Sequence, residues 1–454
     1  MRYFLGLLLA LVVVAGIVFA VASRGDAPAV QILQPTKLIG ADAALDVTVE
    51  VPKAKLSRLD IVLEQNGKST PLFSLAAPGS ATLTQETPDR IRITRPVGKK
   101  ALPDLQAGAV RIVVTAARTT LFGLRTKEAT AAREVTARFT PPRIAAVSTH
   151  HYVNLGGSEM VVYSVSPADT TSGVLVGDMF YPGFPAAGAG MKTSDPGLRV
   201  AFFALLYDQD LMTPVRLLAR DEAGNQVQAS FDYKPFTKKF TKGRVELSDT
   251  FLHRVVPEIL EHAPELKIAV TSDDDYLPAF LKINNDLRRI DAEKIVALSK
   301  QTAPEMLWKG PFIPLGNAKV ESKFADHRTY FYQGKEVDQQ VHLGFDLAVT
   351  KQIPVLAGND GKVIYADFLG IYGNCVIIDH GMGVQSLYGH MSSIDVKLGD
   401  VVTRGQQIGR SGMTGLAAGD HLHFSIMLLG HPVNPVEWWD PHWIEDRVMR
   451  KLHE

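Results

Sequence analysis

Val341-His342-Leu343-Gly344-Phe345-Asp346, Leu387-Tyr388-Gly389-His390 and Asp420-His421-Leu422-His423-Phe424-Ser425 place four histidines and the Asp346 carboxylate within about eighty residues. Each lies beside glycine or alternating apolar residues, the composition of a metal site built on strands. A catalytic zinc takes three protein ligands, imidazole and carboxylate both being suitable, and leaves a fourth position to water. On a straight strand His342 and Asp346 share a face, but at about 3.3 Å per residue their Cα atoms stand roughly 13 Å apart. That is too far for one ion, so Gly344 is expected to supply a bend or bulge between them. His421 and His423, two apart, point the same way on a strand, while Leu422, Phe424 and Ile426 point into a core. Three ligands with spare imidazoles make an open, catalytic site rather than a closed structural one.

The order H-x-x-x-D, Y-G-H, H-L-H-F extends further. Between these motifs lie Gly-Asn-Cys-Val-Ile-Ile-Asp-His-Gly (373–381), Gly399-Asp400, Gly405-Gln406 and Gly412-Met413-Thr414-Gly415. Together they resemble the lysostaphin/LytM zinc endopeptidases that cut peptidoglycan peptides, over roughly residues 340 to 440. The resemblance implies one Zn2+ per chain, held by His342, Asp346 and His423. It makes His390 and His421 the catalytic histidines flanking the metal-bound water, and peptidoglycan stem peptides or cross-links the substrate. The chain departs from the family pattern at Ala417-Ala418, Asp420 and Ser425, none of them a ligand position.

Only one formal negative charge stands among the three ligands, so the bound water is expected to have its pKa lowered towards about 7. No His-Glu-x-x-His helix supplies a glutamate base. A histidine, with a pKa near 6.5, is left to accept the water's proton. The spacing leaves open which of His390 and His421 does so. His380, in the Asp379-His380 turn, is read as a structural hydrogen-bonding residue or one that orients a ligand. Tyr388, two before His390, is expected to share its face and to offer a substrate contact.

Outward from this unit, 454 residues with 46% hydrophobic content allow two to four domains. Lys+Arg and Asp+Glu are both 48, so no net basic charge favours nucleic acid. Residues 1–22 read as an N-terminal membrane anchor or signal: Tyr3 to Ala22 is uncharged and long enough to cross a bilayer. The expected placement is the cytoplasmic (inner) membrane, single-pass, with the N-terminus inside and the remainder in the periplasm or facing the cell wall. Cleavage near Ala20-Val21-Ala22 would make the protein secreted instead. Cys375 is the sole cysteine, so no intrachain disulfide is possible; it reads as a buried small side chain.

The fold class expected is mainly β. Residues 30–141 read as a β-sandwich module, with period-two runs at 44–51 and 110–116. Residues 142–236 read as a second, immunoglobulin-like β module ending in a hairpin around Glu222-Ala223-Gly224-Asn225. His150-His151 within it reads as a surface pair. A basic linker at 238–243 leads to a helical segment, 245–303, where apolar residues fall at helical spacing despite Pro257. Residues 306–440 form the antiparallel-sheet metallopeptidase domain, and 441–454 a C-terminal tail; Trp438-Trp439 and that tail are expected to close its surface.

The function these readings support is a membrane-anchored zinc endopeptidase acting on peptidoglycan, with cell-wall or division partners. Two alternatives stand beside it. One is a non-catalytic regulator or scaffold that activates another wall hydrolase, and the other is an enzyme directed at Gly-rich or other extracellular proteins.

Overall fold

The computed structural model describes residues 13–14, 18, 26–52, 55–120 and 124–453. The expected membrane segment lies outside the described residues except for Val13, Val14 and Val18. Among the described residues no helix is long and apolar enough to cross a membrane. The chain is mainly β and divides into two compact units, Met1–Pro142 with Arg220–Val227, and Arg143–Ala219 with Gln228–Glu454.

In the first unit, alternation does what a half-buried strand requires. Leu45, Val47 and Val49 are fully buried on one strand, and Leu59 and Ile61 on another, with Asp46 and Asp60 turned outward. A four-stranded sheet, ordered Ala29–Gln34, Ala44–Glu50, Arg90–Pro96, Thr82–Thr87, and a five-stranded sheet share one apolar core. The five-stranded sheet includes the long hairpin Gly108–Thr120 and Arg125–Ala137.

The second unit begins with strands whose pattern differs. Gly157–Ser166 is buried along almost its whole length rather than at alternate residues, because both faces are covered. Trp438 and Trp308 pack on Phe202 of the paired strand Leu198–Leu205, and Lys451 reaches Glu159 at 2.8 Å. Trp438 and the C-terminal Lys451 are therefore core residues, and the expectation that they close the surface is corrected. His151 is corrected likewise. Its ring is buried between Ser148 Oγ (2.9 Å) and the Asp232 carbonyl (2.8 Å), since its strand pairs in parallel with Tyr233–Phe236.

Lys242–Leu247, read as the end of the linker and the start of the helical segment, is a strand paired in parallel with Asp326–Tyr332, which pairs in turn with Lys335–His342. Helix Asp249–His262 starts at Ser248, whose hydroxyl accepts the Phe251 N–H, and runs through Pro257. The helices to Ser299 bury Leu252, Val255, Phe280 and Ile283 in one cluster with Tyr330 and Ile371. The helical segment thus shares its core with the sheet domain that follows. That domain's main sheet is antiparallel and runs Lys319–Ser322, Phe345–Ala348, Leu422–Leu428, Val384–Met391, Asn374–Asp379, Gly361–Phe368, Val401–Val402. Cys375 is fully buried in it.

Candidate metal centre

Strand order decides which side chains meet. Phe345–Ala348 and Val384–Met391 flank Leu422–Leu428, and in this register Asp346 and Gly389 both lie opposite His423. Opposed residues of an antiparallel pair carry side chains about 5 Å apart at Cβ, and Asp346 Oδ1 lies 3.1 Å from His423 Nδ1. His342 ends the preceding strand, and the chain bends at Gly344 before Phe345 begins the next. The bend brings His342 Nε2 to 2.9 Å from Asp346 Oδ1 and 3.0 Å from His423 Nδ1. A Cβ on Gly344 would stand 2.5 Å from two atoms of the His423 ring, so the backbone there approaches as only glycine can. His421 Nε2 is 3.4 Å from Asp346 Oδ1, and the His390 ring lies 4.8 Å from that of His421.

The other ring nitrogen of each histidine is already occupied. His342 Nδ1 donates to the Lys323 carbonyl (3.1 Å), His390 Nδ1 to that of Thr414 (2.8 Å) and His421 Nδ1 to that of Gly419 (2.8 Å). His423 Nε2 donates to Ser425 Oγ (3.0 Å), whose own hydroxyl donates to the Leu343 carbonyl (2.8 Å). Each neutral imidazole therefore turns a lone pair, not an N–H, into the site. Ser425, a departure from the family pattern, is what holds the tautomer of His423.

Three acceptors, His342 Nε2, Asp346 Oδ1 and His423 Nδ1, thus face one another with no proton among them. Such an arrangement is repulsive unless a cation sits between them. A tetrahedral ion with bonds of about 2.0–2.1 Å spaces its ligands by roughly 3.3 Å, close to the separations present. The donor set, two imidazoles and one carboxylate, suits a divalent metal, and these three buried residues form a cluster able to hold one. Without an ion, protonated histidines take its part: burial opposes ionisation of Asp346, yet the charge of protonated His342 and hydrogen bonds from protonated rings hold its carboxyl well below the ordinary range. Burial pushes His423 down to about 4 and lowers His390 well below 6.5, the latter helped by the neighbouring imidazoles. In His421 burial is outweighed by the hydrogen bond and charge of Asp346, and its pKa rises.

Residues outside the motifs complete the site. Arg328 Nη2 donates to Asp346 Oδ2 at 2.7 Å, which leaves Oδ1 for the centre. The strand reading of Arg328-Thr329-Tyr330 carried no sign of this role, because the pairing Asp326↔His342 that brings it close is long-range. The Met413–Ala417 loop, whose Thr414 carbonyl holds His390, is itself held by the helical segment. Arg254 donates to the carbonyls of Met413 (3.1 Å) and Ala417, and Glu258 accepts the Gly415 N–H (3.4 Å). A cavity of about 360 Å³ opens over the centre, walled by Phe251, Phe280 and Arg288 of the helical segment and by Tyr372 and Leu416.

The structure does not bring Tyr388 and His380 to this cavity. Tyr388 Oη accepts from the Gly358 N–H (2.7 Å) and from Ser386 Oγ (3.0 Å), and His380 bonds the Asp360 carbonyl (2.6 Å) and Ser386 Oγ (2.7 Å). Both side chains are buried elsewhere in the domain. The expectation that Tyr388 shares the face of His390 fails because the strand bulges. Val376 pairs with Tyr388 but Asn374 with Met391, and His390 adopts φ +61°, so the period of two breaks between them.

Residues 340–435 match Peptidase family M23. Over 97 residues the chain is 41% identical to the DD-carboxypeptidase/endopeptidase Mpg of Neisseria meningitidis serogroup B, a match covering 21% of this chain and 22% of that protein. It is 42% identical over 96 residues to the peptidoglycan DD-endopeptidase ShyA of Vibrio cholerae serotype O1, with the same shares, 21% and 22%. The similarity thus spans about a fifth of the length of these curated relatives. The catalytic domain of the antimicrobial peptidase lysostaphin from Staphylococcus simulans is similar over 27% of this chain and 92% of its own, at 28% identity and a TM-score of 0.24. The C-terminal segment 340–435, which carries His342, Asp346, His390, His421 and His423, is a peptidase M23 domain.

Proposed function

We propose that the protein is a zinc-dependent endopeptidase that hydrolyses peptide cross-links of cell-wall peptidoglycan. The observation that carries this reading is the convergence of three lone-pair donors, 2.9–3.1 Å apart, whose protons are all directed elsewhere. His342, Asp346 and His423 hold the ion. A zinc bound there would supply a Lewis acid that activates water and polarises the scissile carbonyl.

The chain's own groups do the rest. His390 is buried and neutral, and its Nε2 has no partner among the described residues, so it is placed to take the proton of the attacking water. His421 faces it across 4.8 Å and, when protonated, presents Nε2–H to the developing oxyanion and then to the leaving amine. The names of the M23 relatives, a peptidoglycan DD-endopeptidase and a DD-carboxypeptidase/endopeptidase, support wall peptides as substrate. The uncharged run Tyr3 to Ala22 supports an anchor in the cytoplasmic membrane, with the domain facing the wall.

The test is digestion of purified sacculi by the zinc-loaded protein, with mass spectrometry of the released fragments. Release of peptides cut at the cross-link, abolished by a chelator and by His423→Ala, is the expected result. Intact sacculi together with far less than one zinc per chain would overturn the reading.

A further inference from the structure

The cavity over the centre contains three arginines, Arg244, Arg288 and Arg328. Two of them are committed. Arg328 bonds Asp346 and stands 3.6 Å from Asp326, and Arg244 bonds Glu246 at 2.6 Å while stacking on Phe331. Arg288 differs. Its Nε donates to the Asn284 carbonyl (3.1 Å) and its Nη2 to Asn284 Oδ1 (2.7 Å), both neutral acceptors. Among the described residues no carboxylate pairs with it. Asp291, one helical turn on, spends its carboxyl on the Ile371 N–H at 2.9 Å.

The guanidinium is also fixed in place. Asn284 is fully buried and tied by its own amide to Asp338 Oδ2 at 2.7 Å, so Arg288 is held from behind while it borders the cavity. A half-buried cation, pre-positioned and in no ion pair, with only the longer-range charge of Asp291 acting on it, is the arrangement that binds an incoming carboxylate with little loss of side-chain entropy. Beside it, Phe251 and Phe280 offer an apolar wall suited to small aliphatic side chains.

We infer that Arg288 is the specificity-determining residue of a carboxylate subsite, so that the substrate is a peptide bearing a free carboxylate near the scissile amide. This rests on the peptidase reading above and deepens it. Arg288 lies on the helical segment, outside residues 340–435, so the specificity is contributed by a part of the chain beyond the M23 domain.

The test uses the full zinc-loaded chain, its R288Q and R288K variants, and one synthetic cross-linked peptide in three forms. One form has all carboxylates free, one has its C-terminal carboxylates amidated, and one has only the side-chain carboxylates amidated. For the parent, kcat/KM should fall about 10- to 100-fold for one of the amidated forms, and that form identifies the carboxylate read. R288Q should bring acid and amide within about 3-fold of each other, and R288K should retain part of the preference. Zinc content and thermal melting of each variant report folding separately. Equal cleavage of all three forms by the parent, or a preference unchanged in R288Q, overturns the inference. If the parent cleaves none of them, the peptidase reading fails, and calorimetry with the same peptides still decides. Acid-selective binding lost in R288Q supports the subsite, and binding indifferent to amidation removes it.

Discussion

Replacing Gly344 by alanine should damage the metal centre directly. The added Cβ would lie 2.5 Å from His423 Cε1 and Nε2 and 2.6 Å from Ser425 Oγ. Ordinary contact begins at 3.4 Å, so the ring must retreat by roughly 0.9 Å. It has little room to do so. His423 is 4% exposed, bonded through Nε2 to Ser425 and opposed to Asp346 across the strand pair. Overpacking of this kind costs about 1–3 kcal/mol in stability. A shift near 1 Å at a reacting centre costs on the order of 100-fold in rate, and disturbance of a ligand's supporting bonds about 10- to 100-fold in metal affinity. Competition against a chromophoric chelator gives the zinc affinity, and peptide release from sacculi gives the rate. Both should fall, while the melting temperature drops by only a few degrees. A Gly344→Ala protein that holds zinc as tightly as the parent would refute the close-approach argument.

Three further outcomes follow from the same geometry. Arg328→Gln removes the donor on Asp346 Oδ2, and zinc affinity measured by chelator competition should fall about 10- to 100-fold, with Arg328→Lys recovering part of it. His390→Ala should retain one zinc per chain by elemental analysis yet lose about 10²- to 10⁴-fold in rate; a variant that stays active would remove His390 from proton transfer. Asp291 is raised from its ordinary 3.8 to about 6, chiefly by burial, with the Ile371 N–H opposing. Because the folded pKa is the higher, its contribution to stability is fully present below about pH 4 and is lost as pH rises through 6, worth ~3 kcal/mol. Asp291→Asn should therefore flatten the pH dependence of unfolding by urea between pH 4 and 6, and an unchanged slope would contradict this account.

Much of the site was readable because its determinants are local. A glycine between two ligands, two histidines at a spacing of two, and apolar residues on the opposite face are constraints imposed by the strand itself, and they need no knowledge of distant parts of the chain. The same periodicity misled at Tyr388, where one bulge turns His390 to the other face. The surface reading of His151 failed for another reason, a parallel partner strand some eighty residues away that buries the ring.

The sequence alone determined the mainly β character, the helical interruption and the set of residues able to hold a metal, since each follows from residue type and short-range spacing. Only the tertiary structure decided that Arg328 grips Asp346, that the Leu343 carbonyl fixes the Ser425 hydroxyl behind His423, and that Phe251, Phe280 and Arg288 wall the cavity. Those contacts join residues up to about a hundred and seventy positions apart. They depend on strand register and on the shared core of Leu252, Phe280, Tyr330 and Ile371, which no local pattern encodes.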